Sequence, residues 1–552
     1  MINVIKDRYL YFTKSSKDVL IYKNKYGETT CNSLESFVTE YRIDQVQIFF
    51  KNICEYKENQ NFNVDNYKRG SLSLWWLYNR LIYENICLYS FKYEKLLSLL
   101  IDNENSEFEI ITSDVKLKFL IKHYCSFHGI KVTIFHSFIN KANLFFSTVT
   151  KLFLTFLSLI FIFFSERKIL IFTSNNFSKF GNFDYRFFSL FSKLKSEKIR
   201  YFIGIRTTNY PGTVLFRFIK RFKPVIFFDS INEVSDLIYP SCSSNFKSSS
   251  YLGYLSNVNN FANLKSIDLS LCIHRFILKL ANPLSALIAD NCERSNILLV
   301  SCNQLLIPTI GIMNGVETIY YNVQKFNHFA INSNHLLRQK HYGVWSDGIK
   351  QYYLKKSKLY SLENLEISGK LRVSGNKSTK AFFEYRQVVN ICWLIEIHVN
   401  IFELIPFIKV ILDNPQFNLT FKLDPTKPNN SIEYFNKLSN LLKGYKLNST
   451  GITIEEASLK FDLFVGAFST ALIDVVSFYT PILIIKTNQW GNYFDISGVD
   501  SLIVSCKDEL LSKIENLNYD DQLIFKNTFA PENIYSGPDW IIKKFNQYKK
   551  WD

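Results

Sequence analysis

The sequence contains few of the residues that interrupt regular structure. Of its 552 residues, 19 are glycine and 12 are proline, while hydrophobic residues make up 47% and charged residues 21%. This composition excludes a disordered chain and a collagen-like chain, and it predicts a globular protein. At roughly 150 residues per domain, the length predicts three or four compact units or two large ones.

The cysteines lack the spacing of a metal site. Ten of them are scattered from Cys31 to Cys506, with no C-x-x-C pair and no Cys/His cluster. This distribution predicts reduced, mostly buried thiols and no structural zinc. The first residues, MINVIKDRYLYF, lack the apolar core of a signal peptide. We therefore expect a cytoplasmic protein.

Two common catalytic motifs are missing as well. No G-x-x-x-x-G-K-[ST] loop occurs, which argues against a P-loop NTPase. No G-x-S-x-G segment occurs either, which argues against a serine hydrolase of the α/β type.

The chain is basic, with a net charge of +16 from 65 basic and 49 acidic residues. The basic residues are spread thinly and form no long Lys/Arg block, so we expect no nucleic-acid partner. A solvated basic surface is the simplest interpretation. Attraction to an anionic membrane face or to nucleotide substrates is the alternative.

Residues 144–167 contain the most apolar segment of the chain. Its uninterrupted core, 152–164, is shorter than the ~20 residues that a bilayer span needs. A buried or interfacial helix is the favoured prediction, and a span that uses the residues before Lys151, or a linker, is the alternative. An interfacial helix beside basic residues would hold the protein at the inner face of the cytoplasmic membrane.

Strand and helix patterns alternate along most of the sequence. FEIITSD, VKLKFLIKHYCSFHG and IKVTIF predict a β-α-β unit whose helix ends at Gly129. The alternation begins again near residue 340, which predicts an α/β protein with two Rossmann-like domains facing a central cleft. The predicted divisions are an N-terminal part of the first domain, the apolar helix, the remainder of the first domain and the second domain: 1–143, 144–167, 168–338 and 339–552.

The segment DLFVGAFSTALIDVV predicts a binding site. An apolar strand ends at Gly466, and Ser469 and Thr470 open the helix that follows. Unpaired amides in the first turn of a helix, with the positive end of its dipole, favour a phosphate. A plain helix cap in a parallel sheet is the alternative.

This segment resembles the nucleotide-binding element of GT-B glycosyltransferases, especially the bacterial capsule and O-antigen enzymes. Their pattern is Gly, then Ser-Thr, then an acidic residue, then Gly-Pro before the next strand. Asp474 occupies the acidic position, and Tyr479-Thr480 precedes Pro481 where the family has Gly.

Further elements resemble the same family in the same order. TIGIMNG resembles a loop that usually ends in His-Gly, with Asn314 in place of the His and Gly315 matching the Gly. LRVSGNKS, with Gly375 and Asn376, resembles the Gly-Asn loop that follows. These resemblances cover about residues 290–500 and extend more weakly to the N-terminal half.

The resemblance implies a metal-independent transferase without a cofactor. A CMP- or UDP-linked sugar would be held by the second domain and passed to a growing surface polysaccharide or a lipid-linked acceptor. FKLDP resembles a Lys-Pro-His-Pro element, and its Lys422 would neutralise a phosphate while Asp424 stands in place of the His. Asp474 would accept hydrogen bonds from the ribose, and a local salt bridge is the alternative role for it. A transferase of glycerol or ribitol phosphate from a CDP-alcohol, or an inactive nucleotide-binding scaffold, is the alternative.

Sugar transfer with inversion requires a base for the acceptor hydroxyl, often a carboxylate. The candidates are Asp184, Glu293 and Glu317, each in a polar stretch after a predicted strand or loop. No D-x-D occurs, so we expect no metal site and stabilisation of the leaving phosphate by amides and lysine.

Overall fold

The computed structural model places three sheets of four or more strands and one two-stranded sheet along the chain, and it describes a discontinuous set of residues. These are 19–23, 29–38, 45–46, 48–49, 68–69, 72–73, 87–104, 106–112, 115–135, 138–166, 168–173, 187–205, 224–228, 231, 262–288, 293–313, 338–356, 360–371, 388–397, 399–424, 428–488, 491, 494, 498–531 and 536–549.

The described strands of the first 135 residues form a sheet of four and a separate pair. Their bounds are β1 Val19–Lys23, β2 Thr29–Ser33, β3 Lys68–Arg69, β4 Leu72–Ser73, β5 Glu107–Ile111 and β6 Val132–Phe135. The helices here are α1 Leu88–Lys92, α2 Glu94–Asp102 and α3 Val115–His128. In the sheet order β2-β1-β5-β6, β1 is antiparallel to both neighbours, and β5 is parallel to β6.

The predicted β-α-β unit is confirmed by β5, α3 and β6. Gly129 ends α3 at φ +72°, a left-handed conformation that side chains disfavour. Among the described residues the strands β2, β1, β5 and β6 pair only with one another, so this sheet is separate from the next one along the chain. The predicted assignment of 1–143 to the first Rossmann-like domain stays a prediction.

The second sheet has seven strands and is built from the middle of the chain. Its strands are β7 Ile169–Thr173, β8 Tyr201–Ile205, β9 Val225–Phe227, β10 Ala286–Ile288, β11 Thr309–Ile312, β12 His341–Val344 and β13 Leu365–Ile367. The helices in this part of the chain are α4 Phe138–Phe163, α5 Phe188–Ser196, α6 Ala262–Ala281, α7 Glu293–Gln304 and α8 Asp347–Lys356. The strand order is β13-β12-β11-β10-β7-β8-β9.

The third sheet has six parallel strands. They are β14 Asn390–Leu394, β15 Asn418–Lys422, β16 Asn448–Thr450, β17 Leu463–Gly466, β18 Ile482–Ile485 and β19 Ile503–Val504, in the order β16-β15-β14-β17-β18-β19. Its helices are α9 Ile401–Leu412, α10 Pro428–Leu441, α11 Ile454–Lys460, α12 Ala471–Val476, α13 Lys507–Glu515 and α14 Tyr519–Phe529. Apolar side chains from both faces of these strands are buried, as expected for a parallel sheet covered by helices.

Both large sheets share one strand order. Numbered along the chain from its own first strand, the six-stranded sheet runs 3-2-1-4-5-6, and the seven-stranded sheet runs 3-2-1-4-5-6-7. This is the order of the Rossmann dinucleotide-binding fold. The chain is therefore an α/β protein with two Rossmann-like parallel sheets, in agreement with the predicted class.

The last helix, α15 Gly537–Lys549, packs in the core of the seven-stranded sheet. Trp540, Ile541 and Phe545 are buried among residues of β7, α5 and β11. The predicted boundary at 339 therefore does not coincide with the division between the sheets, because β12, β13 and α15 all belong with the seven-stranded sheet. The sequence pattern predicts where a strand lies, but it does not predict which strand will be its neighbour in the sheet.

A charged cluster ties α15 to β12 and β13. Glu366 Oε1 lies 2.8 Å from His341 Nδ1 and 2.7 Å from Lys544 Nζ, and Glu366 Oε2 accepts from Trp540 Nε1 at 3.1 Å. His341 Nε2 lies 2.7 Å from the Tyr548 hydroxyl. Burial raises the pKa of Glu366, but the hydrogen bonds from His341, Lys544 and Trp540 and the charge of Lys544 together lower it to about 2.

By contact density the chain divides into two compact units. One is Met1–Ser158, Asn209–Phe222 and Phe227–His274, and the other is Leu159–Thr208, Lys223–Ile226 and Arg275–Asp552. Both Rossmann-like sheets lie in the second unit, apart from Phe227 at the end of β9.

The apolar segment forms α4, a helix that begins six residues before the predicted start at 144. The linker alternative is therefore wrong. Among the residues that the structure describes, no helix is both long enough and apolar enough to cross a membrane.

Candidate functional site at the carboxyl edge of the six-stranded sheet

The strand order of the six-stranded sheet marks a position for a ligand. From β14 the chain proceeds to β15 and β16 on one side, and it then returns to β17 on the other side of β14. The loops that follow β14 and β17 leave in opposite directions at this point. In open parallel sheets the resulting crevice, outside the carboxyl ends of the strands, is where ligands bind.

Glu396 occupies this crevice, two residues after the end of β14. Its carboxylate accepts hydrogen bonds from the backbone N–H of Ala467 at 2.6 Å and of Phe468 at 2.8 Å, both just after β17. The Ser469 amide also donates to it. Burial raises the pKa of Glu396 to about 7, although the three amides act to lower it. The loop after β17 is thus shaped around an oxyanion.

Ser469 and Thr470 lie where the sequence predicted, between β17 and α12. Ser469 Oγ accepts from the Ala471 amide at 3.2 Å, and Ser469 O accepts from the Leu472 amide at 3.0 Å. Thr470 is the N-cap residue of α12, but its side chain makes no capping hydrogen bond.

The expectation of unpaired amides at this turn is therefore corrected. Glu396 takes three of them before the helix begins, and the turn satisfies those of Ala471 and Leu472 itself. A buried N–H needs a partner, and the protein supplies one from a distant strand. The part of Ser469 and Thr470 in donor binding stays a prediction.

Lys422 ends β15, next to β14, and its side chain is buried. The Lys422 Nζ lies 3.4 Å from the carbonyl oxygen of Leu423. The backbone carbonyl of Lys422 accepts a hydrogen bond from the Ile395 amide at 3.0 Å. The Asp424 amide donates to Ser431 Oγ at 3.1 Å, which holds the strand exit against α10. Lys422 and Glu396 thus follow neighbouring strands at the same edge of the sheet.

Asp474 on α12 forms an ion pair with Lys370, at 3.1 Å between Oδ1 and Nζ. Lys370 lies three residues after β13 and also donates to Ser477 Oγ at 3.1 Å. This pair connects the exit of the seven-stranded sheet to the helix beside the candidate site. A salt bridge at Asp474 was the alternative prediction, but its partner Lys370 was not predicted, and the ribose contact of Asp474 stays a prediction.

Gly466 is the last residue of β17 and is fully packed. A Cβ at this position would contact Leu394 Cδ1 at 3.4 Å, an ordinary van der Waals distance. Its neighbours therefore do not by themselves require glycine, and its predicted donor-binding role stays a prediction.

Two of the catalytic candidates and four of the donor-binding candidates lie outside the described residues. These are Asp184, Asn314, Gly315, Glu317, Gly375 and Asn376. Glu293 is the first residue of α7, and nothing of its side chain is described. In the described part of the chain, no group of three or more His, Cys, Asp or Glu side chains is placed to hold a metal ion.

Sequence reasoning missed Glu396, the most buried carboxylate of the site. A signal was present, because a single acidic residue interrupts the apolar run NICWLIEI. A lone buried carboxylate needs several donors. The sequence does not show that those donors lie 71 residues further on.

The sequence matches no family model and no curated protein. Several solved structures are similar in fold. UDP-GlcNAc 2-epimerase from Neisseria meningitidis bound to UDP-GlcNAc aligns with a TM-score of 0.41 at 10% identity, and Acinetobacter baumannii MurG with 0.43 at 10%. Anabaena HepE in complex with UDP and glucose gives 0.39 at 10%. Each alignment covers 69% of this chain and 100% of the other chain.

Proposed function

We propose that this protein is a glycosyltransferase that binds a CMP- or UDP-activated sugar at the carboxyl edge of the six-stranded sheet. The sugar passes to a growing bacterial surface polysaccharide or a lipid-linked acceptor at the cytoplasmic membrane face. The observation that carries the proposal is the 3-2-1-4-5-6 strand order, with an oxyanion-binding loop at its switch point.

The loop after β17 supports an anionic ligand. Three successive amides, those of Ala467, Phe468 and Ser469, converge on one carboxylate, and such a turn is a concave site for negative charge. The phosphate of the donor would lie beyond Glu396, against the hydroxyls of Ser469 and Thr470. Lys422, at the neighbouring strand exit, would supply the compensating positive charge.

Glu396 in this proposal shapes the loop and does not touch the reacting atoms. An ionised Glu396 beside a phosphate is repulsive, and its pKa of about 7 means that the protein relieves the repulsion by taking up a proton. Donor affinity should therefore rise as the pH falls from 8 to 6.

In the transfer step the acceptor hydroxyl attacks the anomeric carbon, and the bond from that carbon to the phosphate oxygen breaks. The nucleotide leaves with the electron pair, stabilised by Lys422 and the loop hydroxyls. Asp184, Glu293 and Glu317 remain the candidates for the carboxylate that accepts the hydroxyl proton.

The first experiment is a thermal-shift series with CMP, UDP, CDP and GDP on the full chain. A ligand that binds only the folded state raises the melting temperature with its occupancy. We expect CMP or UDP to give the largest shift. No shift with any of the four would contradict nucleotide binding, and a response to CDP alone would favour the CDP-alcohol reaction.

The second experiment tests the site itself with the double variant Ser469→Ala, Thr470→Ala. Loss of a hydrogen bond to a charged group costs about 1.5–3 kcal/mol, so nucleotide affinity and transfer should fall about tenfold or more. Thr453→Ala is the matched control. Thr453 is the N-cap of α11, the helix that connects β16 to β17 of the same sheet. Its side chain accepts a hydrogen bond from the Glu456 amide.

The two outcomes differ clearly. The control should have a lower melting temperature, because the loss of a cap costs about 0.5–2 kcal/mol of stability. Its nucleotide affinity per folded molecule should be unchanged. If the double variant behaves in the same way as the control, Ser469 and Thr470 are only structural.

A further inference from the structure

Helix α4 presents a continuous apolar face to the outside. Five of its exposed apolar residues follow one another at steps of four, three, four and three, which keeps them on one side of the helix, while Phe161 is exposed away from that side. They define the α4 apolar face: Val149, Phe153, Phe156, Ile160 and Phe163. The three phenylalanines are each about 60% exposed, at 59%, 60% and 61%.

The opposite side of α4 is buried and mixed in character. Thr148, Lys151, Thr155 and Ser158 are all below 9% exposed, as are the apolar residues Leu154 and Ile162. Thr155 Oγ1 accepts from the Phe227 amide at 3.0 Å, and this bond fixes the rotation of the helix. A surface helix of a globular protein normally buries its apolar side and exposes its polar side. In α4 most of the described buried residues are polar while five apolar side chains on the other side are exposed, so the α4 apolar face needs an apolar environment of its own.

Charge indicates which environment suits this face. The 26 residues of α4 include no Asp or Glu, and the whole chain carries +16. Just beyond the helix, Lys168 Nζ lies 4.9 Å from the centroid of the Phe161 ring. An apolar face without acidic residues on a basic protein complements a bilayer surface that contains anionic lipid.

We propose that the α4 apolar face docks the protein on the surface of an anionic bilayer, with α4 lying in the plane of the interface. The phenyl rings enter the boundary between headgroups and acyl chains, and the basic residues of the protein add a longer-range attraction. The surface is separate from the nucleotide site, so the proposal stands whether or not the chain transfers a sugar.

The test is co-sedimentation of the full chain with vesicles of two compositions, phosphatidylcholine alone and an equal mixture with phosphatidylglycerol. We expect binding to the mixed vesicles that weakens as salt rises, because surface charges are screened. The variant Phe153→Ser, Phe156→Ser should reduce partitioning at least tenfold, since it removes two of the three phenyl rings of the α4 apolar face. Its response to nucleotides should stay that of the wild type.

The matched control is Phe188→Ser, Phe402→Ser. These phenylalanines are equally exposed, at 60% and 61%, but lie on α5 and α9. The control should partition like the wild type. Three results would overturn the proposal: no vesicle binding by the wild type, equal loss in both double variants, or a wild-type dimer in sedimentation equilibrium that the α4 variant abolishes. The last result would assign the face to a second copy of the chain.

Discussion

The two Rossmann-like sheets share a strand order but place their described carboxylate clusters differently. In the six-stranded sheet, Glu396 lies beyond the carboxyl end of β14, held by three amides. In the seven-stranded sheet, Glu366 lies within β13 and bonds to His341, the first residue of β12, and to α15. Topology alone therefore does not decide where the charged groups of such a sheet collect.

The two carboxylates also differ in protonation, and the reason is their partners. Burial raises the pKa of both. At Glu396 burial dominates and the pKa is about 7, because the groups that donate hydrogen bonds to it are neutral amides. At Glu366 the hydrogen bonds from His341, Lys544 and Trp540 and the lysine charge outweigh burial, and the pKa is about 2. A stably ionised carboxylate suits a structural clamp, whereas one that titrates near neutrality suits a site that exchanges anions.

The largest expected effect is on the clamp. Glu366→Ala leaves Lys544 buried without its carboxylate, and should lower the free energy of unfolding by about 2–3 kcal/mol, below the 3–5 kcal/mol of a fully buried pair because Glu366 is partly exposed. Chemical denaturation measures the change. Glu433→Ala, which breaks an exposed pair with Lys437, is the control and should change it by less than about 0.5 kcal/mol. Equal effects would refute the clamp.

The next effect concerns pH. The folded-state pKa of Glu396 is above its ordinary value of 4.5, so its contribution to stability is present below pH 4.5 and is lost as the pH rises to about 7. Over that pH range the free energy of unfolding of the wild type should fall by about 2 kcal/mol relative to that of Glu396→Gln, whose side chain does not titrate. Denaturation curves at several pH values measure the difference. A constant difference would show that Glu396 titrates normally.

Glu366 should give the opposite slope in the same experiment. Its folded-state pKa lies below 4.5, so its contribution is present above that pH and is lost as the pH falls towards 2. Comparison of Glu396→Gln with Glu366→Ala therefore separates the two carboxylates by the pH range in which each acts.

A smaller effect is expected on ligand affinity. Lys422→Met removes the buried cation at the exit of β15 and should weaken nucleotide binding about tenfold, or about 1.4 kcal/mol. Lys460→Met removes an exposed charge at the end of α11 and should leave the affinity unchanged. Isothermal titration measures both. If Lys422→Met also leaves the affinity unchanged, the phosphate does not meet this edge of the sheet.

The smallest effect is at the link between the sheets. The Lys370–Asp474 pair is partly exposed, so Lys370→Met should cost no more than about 1 kcal/mol. Asp474→Asn should cost about the same in stability, and should in addition weaken nucleotide binding if Asp474 bonds the ribose. A double-mutant cycle gives the pair energy. Equal nucleotide affinity in the two single variants would leave Asp474 as an ion-pair partner only.

Much of the local structure could be predicted from the sequence. Alternating apolar segments predicted β5, α3 and β6 together with the glycine that ends α3, because backbone preference and hydrophobic period act over a few neighbouring residues. The strand before Gly466 and the turn at Ser469 were predicted for the same reason. At the site, Lys422 and Ser469 were predicted from polar residues at strand ends, whereas Glu396 and Lys370 were missed.

The tertiary structure decided which of these elements meet. It paired β12 and β13 with the seven-stranded sheet, placed α15 in that sheet's core, and turned Phe153, Phe156 and Phe163 of α4 outward by bonding Thr155 to Phe227. It also made the amides after β17 donate hydrogen bonds to Glu396, which lies 71 residues before Ala467. Such contacts depend on the neighbours that remote strands acquire on folding. The sequence by itself determined the strands and helices, and long-range burial and hydrogen bonding determined how their charged groups are used.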